Sequence, residues 1–161
     1  MRGKKCWWGV IRICLGLIFL WAFFDKLFGL GFSTTVDKSW LLGNSPTAGF
    51  LKFSTQGPLA SFYQGLVGNV FVDWVFMIGL LLLGIALTLG IGMRIAAYTG
   101  ALLMILMYSA ALPPKNHPFL DEHIIYALVL LALAASDAGK VYGLGNAWSK
   151  SRLVKKYPFL T

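Results

Sequence analysis

At positions 70–90 the chain reads VFVDWVFMIGLLLLGIALTLG. Its one charge, Asp73, stands near the start, and nothing from 77 to 83 is polar. About 20 predominantly apolar residues in a helix cross the ~30 Å hydrocarbon core of a bilayer. A helix that is apolar on every side needs lipid or a deep core around it. Three other stretches meet the same demand: residues 10–30, with no charge from 13 to 24, residues 95–112, and residues 121–141, with Asp137 and Lys140 near the far end. The expected fold is all-α, an integral membrane four-helix bundle forming a single domain over 1–161.

Composition excludes the soluble alternative that 161 residues would otherwise allow. Hydrophobic residues make up 58% and charged residues 12%, about half the charged share of a soluble domain, and mean hydropathy is +0.73. The formal net charge of +8 does not point to nucleic acid, because the bases gather at the two termini, where they anchor and orient membrane segments. No RNA-binding or helix-turn-helix motif lies between them. Cys6 and Cys14 form neither C-x-x-C nor an exported disulfide framework. The basic, then apolar start resembles a signal peptide but lacks a small-x-small cleavage site, and an uncleaved first helix is expected.

Lysine and arginine counts set the expected orientation. With the N-terminus inside, Arg2, Lys4, Lys5, Arg12, Arg94, Lys140, Lys150, Arg152, Lys155 and Lys156 are cytoplasmic, and Lys26, Lys38, Lys52 and Lys115 are outside. That is ten against four of the 14 bases. Both termini are therefore expected on the cytoplasmic face, with residues 143–161 forming an interfacial tail. Glycines at 90 and 92 make a tight hairpin between the second and third helices, and prolines 113, 114 and 118 separate the third from the fourth. The loop 31–69 is too long to be a mere connector and too apolar to be disordered, with Trp40, Phe50, Leu51, Phe53, Phe62 and Tyr63 among its residues. It is expected to be a partly helical extracytoplasmic lid, lying along the interface or folded over the bundle mouth.

Ionisable groups at membrane depth are costly and mark candidate sites. Asp25 and Lys26 end the first helix, Asp73 opens the second, His117 lies in the last outer loop, and Asp121, Glu122 and His123 open the fourth. This outer cluster suits binding and protonating a redox-active or anionic molecule, since reducing a quinone takes two protons and imidazoles exchange protons near neutral pH. His117, His123, Lys26, Asp25 and Asp73 are the candidate catalytic and protonating groups. Lys52, Arg94, Asp121 and Glu122 are the candidate substrate contacts. Plainer roles compete: Asp121 and Glu122 stand where acids cap a helix and complement its dipole, Asp73 is another first-turn acid, and Lys26 can reach the headgroups. Two histidines spaced H-x5-H fit no recognised metal-ligand spacing, and no metal site is expected. On the inner side Asp137 needs a partner, with Arg12 or Arg94 available. Gly84-x3-Thr88 and Ala96-x3-Gly100 read as close-packing seams between helices.

Several stretches carry a family resemblance: Arg12-Ile-Cys-Leu-Gly-Leu-Ile-Phe-Leu-Trp21 with Asp25-Lys26, Ser45-Pro-Thr-Ala-Gly-Phe-Leu-Lys52, Gly90-Ile-Gly-Met-Arg94, Asn116-His-Pro-Phe-Leu-Asp-Glu-His-Ile-Ile-Tyr126, and Gly143-Leu-Gly145 before Trp148. In that order and spacing the chain resembles the DoxX/DoxD family of small four-helix membrane proteins, and most closely its branch named after the small, DoxD-type subunit of thiosulfate:quinone oxidoreductase. The resemblance implies a prokaryotic plasma-membrane subunit that passes electrons from a sulfur compound to quinone beside a second oxidoreductase subunit. Quinone is the implied acceptor, and no motif for flavin, haem or an iron–sulfur cluster is seen. A non-catalytic scaffold recruiting a redox or sulfur-handling partner, and a small-molecule carrier, are the competing expectations. The expected partners are the lipid bilayer, the second subunit and a further copy of the chain.

Overall fold

A computed structural model of the chain describes residues 2–114 and 117–160, the side chains of 2–5 excepted. Lys115, Asn116 and Thr161 lie outside the described residues, as do the side chains of Arg2, Lys4 and Lys5. The described residues form helices and no strand. In chain order these are α1 (Arg2–Phe28), α2 (Ala48–Phe53), α3 (Ala60–Gln64), α4 (Val70–Leu89), α5 (Met93–Ala110), α6 (Glu122–Ala134), α7 (Gly145–Lys150) and α8 (Arg152–Lys156). Three helices are long and apolar enough to cross a membrane: Cys6–Phe28 within α1, and the whole of α4 and of α5.

Each long helix is buried along one stripe and apolar on the opposite face as well. On α4, Met77, Leu80, Leu83 and Leu87 are buried while Val75, Ile78, Leu82 and Ile85 are exposed. Alternating burial with a 3.6-residue period, but no polar face, is the pattern of a helix packed on protein on one side and on lipid on the other. Its ends follow from its sequence: Asn69 Oδ1 accepts from the N–H groups of Phe71 and Val72, and Gly90, at φ 73°, closes the other end in the left-handed region. The helix then turns straight into α5.

α1 packs along α4 and α6 along α5, with α4 and α5 joining the two pairs. Small residues let the helices close up, as the seams in the sequence suggest. A Cβ on Gly16 would stand 2.6 Å from Thr88 Oγ1, one on Gly84 would stand 2.6 Å from Leu20 Cγ, and Gly100 lies against Leu83 and Leu130. The shared core runs from Leu15, Phe19 and Phe23 of α1 through α4 to Ala97, Met104, Ala127 and Leu130.

Two helices, α6 and α1, depart furthest from their expected bounds, while α5 is shifted by two residues at each end. The apolar stretch expected over 121–141 is helical only across Glu122–Ala134; the Ser136 hydroxyl turns back onto the Leu133 carbonyl, and a short 3-10 turn follows at Ala138–Lys140. At 1.5 Å per residue, these 13 residues reach only about two-thirds of the way across a ~30 Å hydrocarbon core. The first helix begins well before residue 10 and ends at Phe28, where Gly29 takes φ 70°.

The segment 31–69 is partly helical, as expected. It contains α2, α3 and 3-10 turns at Val36–Lys38, Trp40–Leu42 and Gly57–Leu59. Its first half crosses the ends of α1 and α4, with Trp40 edge-on to Trp74 at 4.8 Å. Its second half sits on the end of α5. There Leu51 and Tyr63 form a small core with Ala110, Gln56 N–H donates to the Ala110 carbonyl, and the Tyr63 hydroxyl meets Ser109 Oγ at 2.6 Å. Phe50 packs against this core, whereas Phe53 and Phe62 are 78% and 65% exposed and point away from the mouth.

Candidate functional site

The acids and histidines expected at one end of the bundle do gather at helix ends there, but each is held by its own local partners. Asp25 is fully buried in the last turns of α1. Its Oδ1 accepts the Phe32 N–H at 3.1 Å, and its Oδ2 accepts the Ser33 N–H at 2.9 Å and the Ser33 hydroxyl at 2.7 Å. Asp73, also buried, accepts at Oδ1 from the hydroxyls of Ser45 at 2.8 Å and Thr47 at 2.5 Å, and from the Thr47 N–H at 3.4 Å. Both carboxylates therefore hold the 31–69 lid onto the bundle. A buried carboxylate is tolerated only with such donors. Lys26 is half-buried and makes no direct hydrogen bond or ion pair among the described residues.

The shorter helix α6 supplies an acid–histidine pair at its start. Asp121 Oδ1 caps α6 by accepting from the N–H groups of His123 and Ile124, and its Oδ2 lies 2.8 Å from His123 Nδ1. One carboxylate thus serves both readings of the sequence: one oxygen caps the helix and the other orients an imidazole. With Nδ1 fixed, Nε2 is the ring nitrogen left for a ligand. The two side chains are 13% and 14% exposed. Glu122 is exposed beside them; the three groups lie within 4.8 Å of one another, a grouping that follows from their adjacency at a helix start.

His117 is exposed, and its Nδ1 accepts the N–H groups of Phe119 and Leu120, shaping the loop that the Tyr108 hydroxyl ties to α5 through the Phe119 carbonyl. No hydrogen bond or ion pair among the described residues joins His123 to His117, Asp25 or Asp73. Lys52 is exposed on α2, its ammonium 5.5 Å from the Phe53 ring centroid.

Arg94 lies at the opposite end of the bundle. It opens α5 and lines a cavity of about 360 Å³ together with Met93, Asp137, Lys140, Gly145 and Trp148. Asp137 pairs with Lys140, Nζ to Oδ1 2.7 Å.

At the same end, sequence reasoning, which counts Arg12 among the orientation signals and offers it to Asp137, misses its role: Asp137 pairs with Lys140 and Arg12 donates to backbone carbonyls. Arg12 is completely buried. Its Nε donates to the Ala138 carbonyl, Nη1 to those of Leu87 and Thr88, and Nη2 to those of Val141 and Tyr142. All five guanidinium N–H groups are used on the ends of α4 and on the irregular stretch after α6. The signal was available: a lone arginine inside an apolar run, with Gly139, Gly143 and Gly145 far along the chain to let backbone come close. Gly90 and Gly139 pack so tightly that a Cβ on either would fall within 2.7 Å of the other's carbonyl oxygen.

No protein-family model, curated protein or solved structure compared with the chain matches it.

Proposed function

We propose that the chain is a four-span membrane subunit of the DoxX/DoxD type, working with a second subunit to pass electrons from a sulfur compound such as thiosulfate to membrane quinone. The family resemblance supplies the reaction, and the observation that carries the site is the Asp121–His123 pair. A quinone that accepts two electrons becomes a quinol only by taking two protons. In this reading His123 gives one of them to a quinone oxygen from Nε2, while the Asp121 carboxylate, 2.8 Å from Nδ1, orients the ring. Lys26, the half-buried cation next to Asp25, would favour the developing oxyanion.

In this reading α6 is the fourth span. Its 13 helical residues are completed by the stretch 138–142, whose non-helical carbonyls are satisfied by Arg12, the condition under which irregular backbone is tolerated at membrane depth. The ten-to-four distribution of bases supports cytoplasmic termini in a prokaryotic plasma membrane.

A second reading, a non-catalytic scaffold for a redox or sulfur-handling partner, is favoured by the lid. It engages Asp25 and Asp73 structurally and turns Phe53 and Phe62 outward. One experiment separates the two. The complex is purified in mild detergent, its bound quinone and partner are identified by mass spectrometry, and quinone reduction is measured for His123→Ala. A loss of about a hundredfold or more, the scale of a missing general acid, supports the first reading. Full turnover by the variant, with the partner still bound, would leave the scaffold.

A further inference from the structure

We infer that the cavity at the Arg94 end is a binding site for the phosphate of an anionic phospholipid. The proposal is independent of the quinone reading, because the cavity lies at the other end of α5 and α6 from His123. Its volume of about 360 Å³ falls in the range of ligand sites, roughly 300–1,000 Å³. Its walls come from four elements: the hairpin at Gly90, the first turn of α5, the end of α6 with the turn that follows, and α7. The charged groups facing it are Arg94, Lys140 and Asp137. Asp137 lies against Lys140, and with Arg94 the wall carries two bases to one acid, a net positive charge that favours a ligand anion. The guanidinium fork matches two phosphate oxygens.

The remaining lining identifies the source of the phosphate. Trp148 shares the wall, its ring held by the indole N–H donating to the Leu160 carbonyl at 2.7 Å, and tryptophan is the side chain that favours the headgroup level. From the same end α5 and α6 carry exposed apolar side chains, Ile95, Leu102, Leu128 and Leu131 among them, against which acyl chains can lie. A phosphate held by Arg94 with its glycerol and tails along these helices is a lipid and not a soluble metabolite. The exposed bases of α8, Lys155 and Lys156, add attraction to the same leaflet.

The test uses the full chain in mild detergent with added phosphatidylglycerol or phosphatidylcholine, and native mass spectrometry to count retained lipid. The intact protein should keep phosphatidylglycerol preferentially. Arg94→Gln and Lys140→Gln should each lower that preference about fivefold, the usual effect of one base near an anionic surface, with helix content unchanged by circular dichroism. Lys155→Gln should change it less than Arg94→Gln does. Equal retention of the two lipids by the intact protein, or an unchanged preference in Arg94→Gln, overturns the proposal. Full displacement of phosphatidylglycerol by millimolar inorganic phosphate would assign the site to free phosphate and overturn the lipid source.

Discussion

Arg12 donates to five carbonyls and touches no carboxylate among the described residues. A lysine there keeps the charge but offers three donors from a single point, so at least two carbonyls lose their partner. At about 1–3 kcal/mol for each buried group left unpaired, Arg12→Lys should cost on the order of 3 kcal/mol. It should lower the thermal unfolding midpoint in detergent, while Arg152→Lys, on the exposed face of α8, leaves the midpoint in place. An unchanged midpoint would mean that water or lipid replaces the guanidinium without penalty. Residue chemistry was only partly legible from the sequence. That Asp121 stands at a helix start and that His123 follows on its first turn could be read directly, because both facts are local. That Asp25 and Asp73 hold the lid could not, because Ser33, Ser45 and Thr47 are ordinary loop residues until the chain folds back.

Among the elements, the lid and α6 depart furthest from simple spans. The lid is fastened at separate points: Asp25 at one edge, Asp73 in the middle, and the Tyr63–Ser109 contact with Gln56 at α5. Hydrogen bonds to a charged acceptor contribute about 1.5–3 kcal/mol, and 1.4 kcal/mol is a factor of ten in population. Asp73→Ala should therefore raise the open fraction of the lid about tenfold or more, read as faster tryptic cleavage after the exposed Lys52. Asp37→Ala, on an exposed turn of the same segment, should not change the rate. Equal rates in Asp73→Ala and the intact protein would show that the small core of Leu51, Tyr63 and Ala110 holds the lid by itself. The elements themselves were legible because apolar runs of this length leave little choice, and the hairpin was legible in Gly90 and Gly92. The early end of α6 was not read, although Ser136, Asp137 and Gly139 stand there: the Ser136 hydroxyl turns back onto the Leu133 carbonyl, and Arg12 takes the carbonyls of Ala138, Val141 and Tyr142 that follow.

For the whole molecule the side of the tail reports the number of crossings. Three crossings put the two termini on opposite faces, and four put them on the same face. In a background with Cys6 and Cys14 replaced by serine, a cysteine at Lys38 should react with an impermeant thiol reagent on intact cells, and a cysteine at Lys150 should not. Labelling at both would fit three crossings and would turn the stretch after α6 into a re-entrant segment. The loop charges argue for four, as does the short helix whose continuation Arg12 completes.

The order in which the chain is made gives that same arginine a further meaning. Leu87 and Thr88 leave the ribosome 75 and 76 residues after Arg12, and Ala138, Val141 and Tyr142 follow 126 to 130 residues after it. Until the last of these is made, part of the guanidinium has no carbonyl of the folded chain to donate to, which is costly for a charged group at membrane depth. α1 is thus made before any of the backbone that receives its arginine.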